Sequence, residues 1–547
     1  MLTYSTKRIG LIGRVWDDGR ESLKTLVIEK GRITQMMDGK GDLTGMPDIT
    51  VIELEEETVI FPGLINLHTH IGYNILPIWE SRTIWKNRFQ WRNNAGYKKA
   101  ISGLLDYIKG KWQEDGDIVA TLAVAAGAGA AGTTDAEQAA AQIAKTLPEV
   151  EKAHVIISEI QAVAGGTTII QQTLDLDDEQ PDNRSFIIRN TGDQLDLPIP
   201  ANKQVNSVVD FYKPNVTPNG TAEEDTGSWM PVVQSTYTDF VRSVNNDNTP
   251  YYSSLIHAGE GKAGFVKGSV ADPYSRKEMD LLFASLKKDI PDPGRLRQAR
   301  LAITHGCGID LTGEGLEIIR RNGLHWIWSP VSNLLLYRDT VDVRRLLEKD
   351  ITVCLGSDWS PSGSKHVLDE LKFARFVTTL LDLRISDREL FKMVTDNPAA
   401  VLGLSRSGSV KEGGDADLFV LRKQRKEEDA LQVLLESSDK DIDFVMVNGR
   451  IVFGLTRYFK DQLKVDYQGF SAQEGMEVSE RGVSINSVLH FDLAGALHIM
   501  DTLLQRYGAT VLQDPGLRRT KFMAADDVLY QKNIEGLRDQ VAQLCWG

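Results

Sequence analysis

The sequence predicts an α/β chain built on a (β/α)8 barrel of the TIM type, with a small β domain formed from both chain ends and a C-terminal helical extension. Three observations predict it. Short β-branched runs alternate with helical stretches through residues 61–404, the pattern of βα units and a parallel sheet. Strand-and-turn sequence in residues 1–60 returns in 405–455, so the two ends are expected to meet in one composite domain. Residues 456–547 then switch to helical spacing.

At the N-terminus, TLVIEKGRITQM alternates into a Lys30-Gly31 turn, and VIELEEETVIF follows as a second extended stretch. The barrel candidates come next: FPGLINLHTH, GGTTIIQQ, RSFIIRN, VNSVVDFYK, SSLIHAGE, LAITHG, LHWIWSP and ITVCLGSD. These are eight runs, and a barrel of eight units usually takes roughly 250 residues, so insertions are expected at Leu76–Gly165 and Thr191–Asn206. Closure is expected at TDNPAAVLGL, with Asn397 as a helix cap and Pro398 in the first turn. GSVKEGGDADLFVL then turns into an apolar strand, and DFVMVNGRIVF places Asn448-Gly449 between two β-rich runs. Asn-Gly in that setting predicts a two-residue hairpin, whose central positions both need positive φ. In the extension, Leu493, Leu497, Met500 and Leu504 share a helical face, with Gly508 as its expected end.

Bulk properties exclude several classes. A chain of 547 residues exceeds one compact core, and 41% hydrophobic with 25% charged residues is globular composition. With 62 Lys and Arg against 76 Asp and Glu, the charge is −14, which is no footprint for nucleic acid. Cys307, Cys354 and Cys545 make neither a disulfide framework nor a metal pair. No signal h-region opens the chain, and VATLAVAAGAGAA from Val119 is too short to span a bilayer. The expectation is a soluble cytoplasmic protein with a small-molecule substrate and neither nucleic acid nor membrane as partner, a homo-oligomer being left open.

His68 and His70 end the first run two residues apart. In a strand, residues i and i+2 point the same way, so both imidazoles reach one point. Two nitrogens on one rigid strand make a half-site for zinc or iron. His257 ends SSLI and adds a third nitrogen, while Glu260 stands three residues on, as a proton shuttle beside a metal would. His305 ends LAIT, and Asp358 ends ITVCLGS. Strand ends that finish in order with His, His, His and Asp gather at the C-terminal rim of a barrel, where chemistry is done.

FPGLINLHTH, LIHAGEG, LAITHG, LGSDW, NPAAVLGL and GGDADLFVL together resemble the amidohydrolase superfamily over roughly residues 50–455. The resemblance implies a barrel plus a β-sandwich built from both chain ends. His257-x-x-Glu260 is similar to the branch containing cytosine deaminase, guanine deaminase and the triazine hydrolases, which implies one divalent metal, zinc before iron. Carried over, His68, His70 and His257 bind the metal and Asp358 is the fourth ligand. Metal-bound water becomes hydroxide near neutral pH. Asp358 takes its proton, His305 orients the attack, and Glu260 protonates the leaving or ring nitrogen. The implied reaction is hydrolysis at a C–N centre, foremost deamination of a cyclic amidine or aminated heterocycle.

Two rivals stand beside this. Lys213 ends VNSVVDFYK, where a carbamylated lysine bridges two metals in binuclear members that open cyclic amides or imides. The other is a catalytically silent scaffold, against which the intact ligand set argues. For substrate contacts, PIWESRTIWKNRFQWRN interleaves Trp79, Trp85 and Trp91 with Arg82, Arg88 and Arg92. Trp85 offers a flat face to a heterocycle and Arg88 a grip for a carboxylate. Asn333, after Ser329-Pro330, is the third candidate. His325 is read as core, His366 as a surface residue, and His154, His490 and His498 as helix residues without chemistry.

Overall fold

The computed structural model describes residues 7–17, 19–81, 83–125, 136–171, 187–191, 197, 204–208, 210–215, 229–246, 251–474, 477–485 and 492–546. Arg82, His490 and most of the expected insertion at 191–206 lie outside them.

Alternation in the first 62 residues becomes five strands: β1 (Arg8–Asp17), β2 (Arg20–Glu29), β3 (Arg32–Asp38), β4 (Ile49–Glu53) and β5 (Thr58–Pro62). Next come β6 (Leu64–Asn66), β7 (Thr167–Ile170), β8 (Arg189–Asn190) and β9 (Gln204–Val208), then a ribbon of β10 (Tyr212–Asn215) and β11 (Met230–Val233). The series continues with β12 (Tyr251–Ala258), β13 (Leu301–His305), β14 (His325–Trp328) and β15 (Val353–Leu355). Late in the chain lie β16 (Leu418–Arg422), β17 (Ile442–Val447), β18 (Arg450–Leu455), β19 (Gln468–Glu474) and β20 (Glu477–Val483).

Strands from both ends share one ten-stranded sheet, ordered β19-β20-β18-β17-β16-β5-β1-β2-β3, with β4 on β1. The joint is β5 against β16, where Phe61 lies opposite Phe419 and their rings stack at 5.3 Å. Both predicted turns form. Lys30 and Gly31 have φ of 50° and 78°, and Asn448 and Gly449 have φ of 51° and 74°, as a two-residue hairpin of this kind requires. The turns touch, since a Cβ on Gly31 would lie 2.2 Å from Asn448 Oδ1.

Eight strands run in parallel pairings between these ends. One sheet is β6-β7-β8 and the other is β9-β12-β13-β14-β15. A parallel bridge between Thr69 and Asp358 links the chain beyond β6 to the chain beyond β15. Ile65, Ile169, Leu255, Ala302, Ile327 and Cys354, each from a different parallel strand, meet in one buried cluster with Ala399, Val401 and Leu402. Alternate residues of those strands are thereby committed to packing, which leaves the strand ends for chemistry.

The expected insertion at 76–165 is extended up to Asn87 and largely helical beyond it where described, from Arg88–Asn93 to the long helix Ala136–Ala164. The helix Leu493–Tyr507 packs on it through Met500, Leu503 and Leu504. One expected cap is corrected. Asn397 does not cap its helix; Thr395 precedes Asp396–Leu402, and the Asn397 amide donates instead to the Val353 carbonyl at 2.7 Å. Gly508 is the C-cap of Leu493–Tyr507, as expected, with a right-handed φ of −56°, and a wider turn carries the chain on to Gln513, whose φ is 61°. No helix among the described residues is long and apolar enough to cross a membrane.

Candidate metal centre

His68 and His70 leave the end of β6 together, as the period-two spacing requires. The backbone between the first and last parallel strands fixes their place. Asp358 N–H donates to the His68 carbonyl at 3.1 Å, and His70 N–H donates to the Asp358 carbonyl at 2.8 Å. His257 and His305 end neighbouring strands, with Ala258 paired to His305. Two sets of side chains come within 4.8 Å of one another at their ligating atoms: His68, His257 and His305, and His68, His70 and Asp358. Of the six residues singled out for the centre, the structure brings all together: Glu260 Oε2 lies 3.8 Å from His305 Nε2.

Hydrogen bonds behind the imidazoles set which nitrogen faces the centre. His68 Nδ1 donates to Gln171 Oε1 at 3.2 Å, since that oxygen also accepts from Thr69 N–H. His68 Nε2 lies 3.1 Å from Asp358 Oδ1. His305 Nδ1 likewise donates to Asn333 Oδ1 at 2.9 Å, freeing its Nε2. Its carbonyl accepts from the Trp326 indole at 3.0 Å. His305 and Asp358 both hold a left-handed backbone, at φ of 62° and 58°, a conformation that surrounding structure must enforce in a histidine.

The electrostatics suit a cation. Burial, then the neighbouring His68, lowers His70 to about 4, against the pull of Asp358. His257 is pushed well below its ordinary value by burial and by the other three histidines. Burial would raise Asp358, but the hydrogen bond from His68 and the surrounding imidazoles hold it far below the usual carboxylate range. His70 and His257 are thereby held neutral beside an ionised carboxylate, donors of the kind that zinc or iron takes. The two sets that share His68 offer such donors to a metal ion.

Several expected contacts are corrected. Arg88 is charge-paired inside the protein: its Nη2 meets Asp210 at 2.8 Å and Glu278 at 2.7 Å, while Nε and Nη1 are buried without a hydrogen-bond partner. Trp85 is buried, spends its indole N–H on Ser81 Oγ and stacks on Trp79. Asn333 is buried behind His305 and serves the imidazole. Lys213 is exposed on β10 opposite Val232, where the two-stranded ribbon keeps it out of the histidine cluster. His366 is no surface residue: its Nε2 lies 3.4 Å from Asp439, and both are fully buried. Cys307 is buried and its thiol pushed up by that burial, so it is no nucleophile.

Two site residues escaped the sequence reading. Gln171 follows β7 by one residue, a position on the strand-end rim that signals it. Tyr337, whose hydroxyl donates to Glu260 Oε1 at 2.7 Å, lies one helical turn beyond Asn333. The i, i+4 spacing on that helix was the available signal.

Behind the rim, Glu370 accepts from Val331 N–H at 2.9 Å and from Ser364 Oγ. Burial raises its carboxyl to about 8 from 4.5, despite those donors. A carboxyl raised on folding stabilises fully below its unfolded value, and that contribution is lost as pH rises through the folded one. Stability toward urea is therefore expected to decline between about pH 4.5 and about pH 8. Glu370→Gln is expected to flatten that decline; an unchanged slope in urea titrations across this range would refute the assignment.

Residues 256–452 match the family model described as the amidohydrolase family. A 5-methylthioadenosine/S-adenosylhomocysteine deaminase of Thermococcus onnurineus is 29% identical over 206 residues, 36% of this chain and 45% of the relative. Its namesake from Thermococcus kodakarensis is 30% identical over 206 residues, with the same coverage of 36% and 45%. The chain thus spans less than half the length of these curated relatives. A crystal structure of an adenosine deaminase from Xanthomonas campestris with bound zinc superposes at a TM-score of 0.49 and 14% identity, covering 93% of this chain and 100% of that one. On the family match, which takes in His257, Glu260, His305 and Asp358, the chain carries an amidohydrolase family domain.

Proposed function

We propose that this protein is a metal-dependent hydrolase of C–N bonds, built on a closed (β/α)8 barrel, that deaminates an aminated heterocycle. The observation that carries the reading is the convergence of four imidazoles and two carboxylates on one buried point beyond the parallel strands. His68, His70, His257 and Asp358 would hold one divalent ion, zinc before iron. When bound, it would supply Lewis acidity toward water at neutral pH. Asp358 accepts a proton from the attacking water. His305, fixed by Asn333 and Trp326, presents Nε2 to the carbon under attack. Glu260 relays the water's other proton to the ring nitrogen, and Asp358 returns the one it took to the departing amine, so ammonia leaves and the ring keeps the oxygen. The deaminase relatives favour this over ring opening. Ring opening would release a carboxylate without ammonia. A silent scaffold would not need Asp358 ionised among histidines.

The test pairs plasma mass spectrometry of the purified protein with an ammonia assay. The panel is 5-methylthioadenosine, S-adenosylhomocysteine, guanine and an aminotriazine. About one zinc or iron per chain, lost in His257→Ala, is expected, together with ammonia from at least one compound. A metal-free protein after reconstitution, or a new carboxylate without ammonia, would overturn the reading.

A further inference from the structure

Glu260 is reached by a hydrogen-bond relay from the inserted helical segment. Tyr337, on the helix Pro330–Tyr337, donates its hydroxyl to Glu260 Oε1 at 2.7 Å. The Trp91 indole N–H, from the helix Arg88–Asn93, donates to that same hydroxyl oxygen at 2.7 Å. All three residues are buried. The phenol is pushed well above its ordinary value by burial and by the Glu260 charge, so it stays protonated and remains a donor.

The direction of this chain has a chemical consequence. An indole N–H can only donate, so the tyrosine oxygen accepts and its single proton must point at the carboxylate. Glu260 Oε1 is thereby committed, and Oε2 is left facing His305 at 3.8 Å. A carboxylate that would otherwise rotate freely about its last torsion is held with one specified oxygen toward the reacting centre. Trp91 is fixed in turn by Tyr97, at 4.9 Å between ring centroids, and by Trp359, at 5.8 Å. Trp359 follows Asp358 directly, so the same aromatic contact joins both carboxylates.

We propose that Tyr337, oriented by Trp91, is a positioning residue that aims Glu260 Oε2 for proton transfer, and that the inserted helical segment is thereby a working part of the site. The inference rests on the deaminase reading, because it concerns the proton that Glu260 carries. It assigns the insertion a task in kcat and none in substrate affinity.

The test uses the full-length, metal-loaded enzyme and the compound of the panel that releases ammonia fastest. Tyr337→Phe is expected to lower kcat about tenfold with KM within about twofold. Trp91→Phe keeps a ring in place but removes the N–H, and is expected to lower kcat in the same direction by about threefold. It also serves if Tyr337→Phe does not fold. In a Glu260→Gln background, either substitution should leave the residual kcat unchanged, since no carboxylate remains to be aimed. Tyr107→Phe, which removes a buried hydroxyl of the same inserted segment that has no partner, is expected to leave kcat unchanged. A kcat unaltered in folded Tyr337→Phe and Trp91→Phe overturns the proposal. So does a rise in KM alone, which would make Tyr337 a substrate contact. Absence of ammonia from every panel compound with the unaltered enzyme overturns the deaminase reading itself, and this proposal with it.

Discussion

Asp358→Asn is expected to lower turnover by about a thousandfold while leaving the fold and its urea midpoint near those of the unaltered protein. The side chain has three neighbours that fix the argument: His68 Nε2 at 3.1 Å, His70 Nε2 at 3.8 Å and His305 Nε2 at 4.0 Å. An amide keeps the shape, so packing against Trp359 and the backbone bridge to His68 and His70 survives. It loses the negative charge and the capacity to take a proton. Metal content separates the two losses. If the amide still binds about one ion per chain but turnover is gone, proton acceptance is the larger share. If metal is lost as well, the carboxylate is needed as a ligand first. Turnover within about tenfold of the unaltered enzyme would remove Asp358 from the reaction.

The candidate centre was legible because strand ends carry it. His68 and His70 are separated by the strand period, and His257, His305 and Asp358 each follow an apolar run, so sequence order alone assigned them to one rim. The turns at Lys30-Gly31 and Asn448-Gly449 were legible for a similar reason, since local backbone demands are written in local residues. Residues whose role depends on what packs against them were not. Arg88 reads as a free cation until Asp210 and Glu278, more than a hundred residues away, are seen around it. His366 reads as exposed until the C-terminal segment covers it: Asp439 accepts from Ala524 and Ala525 N–H, and Lys365 donates to the Lys521 carbonyl and pairs with Asp527 at 2.7 Å. Nothing in the periodicity of residues 456–547 announces that docking. Lys213 was assigned to a strand end, but β9 stops at Val208, and the ribbon that follows pairs Lys213 with Val232 in antiparallel fashion.

The second large effect concerns the buried cation that supports the His257 loop. Arg88→Met is expected to destabilise the protein by about 3–5 kcal/mol, because it leaves the Glu278 carboxylate buried without its counter-charge. Arg88 and Glu278 are each about 1% exposed, whereas Asp210 keeps Arg92, at 3.1 Å. Burial already raises Glu278 to about 7 with Arg88 in place, so its removal drives Glu278 to the neutral form at neutral pH. That protonation limits the loss and weakens another bond: Glu278 Oε2 accepts from Gly259 N–H at 2.8 Å, in the turn between His257 and Glu260. Gly259 has a φ of 60°, and a Cβ there would meet Met279 at 2.5 Å, so the turn has few other ways to settle. Urea unfolding of Arg88→Met should therefore show the largest midpoint shift of the substitutions considered, with activity falling as the turn loosens. Adding Glu278→Gln should recover part of the stability, because the amide oxygen still accepts from Gly259 and position 278 no longer carries a charge to be matched. If the double variant is no more stable than Arg88→Met, the lost packing of the arginine stem, and not its charge, is what the site depends on.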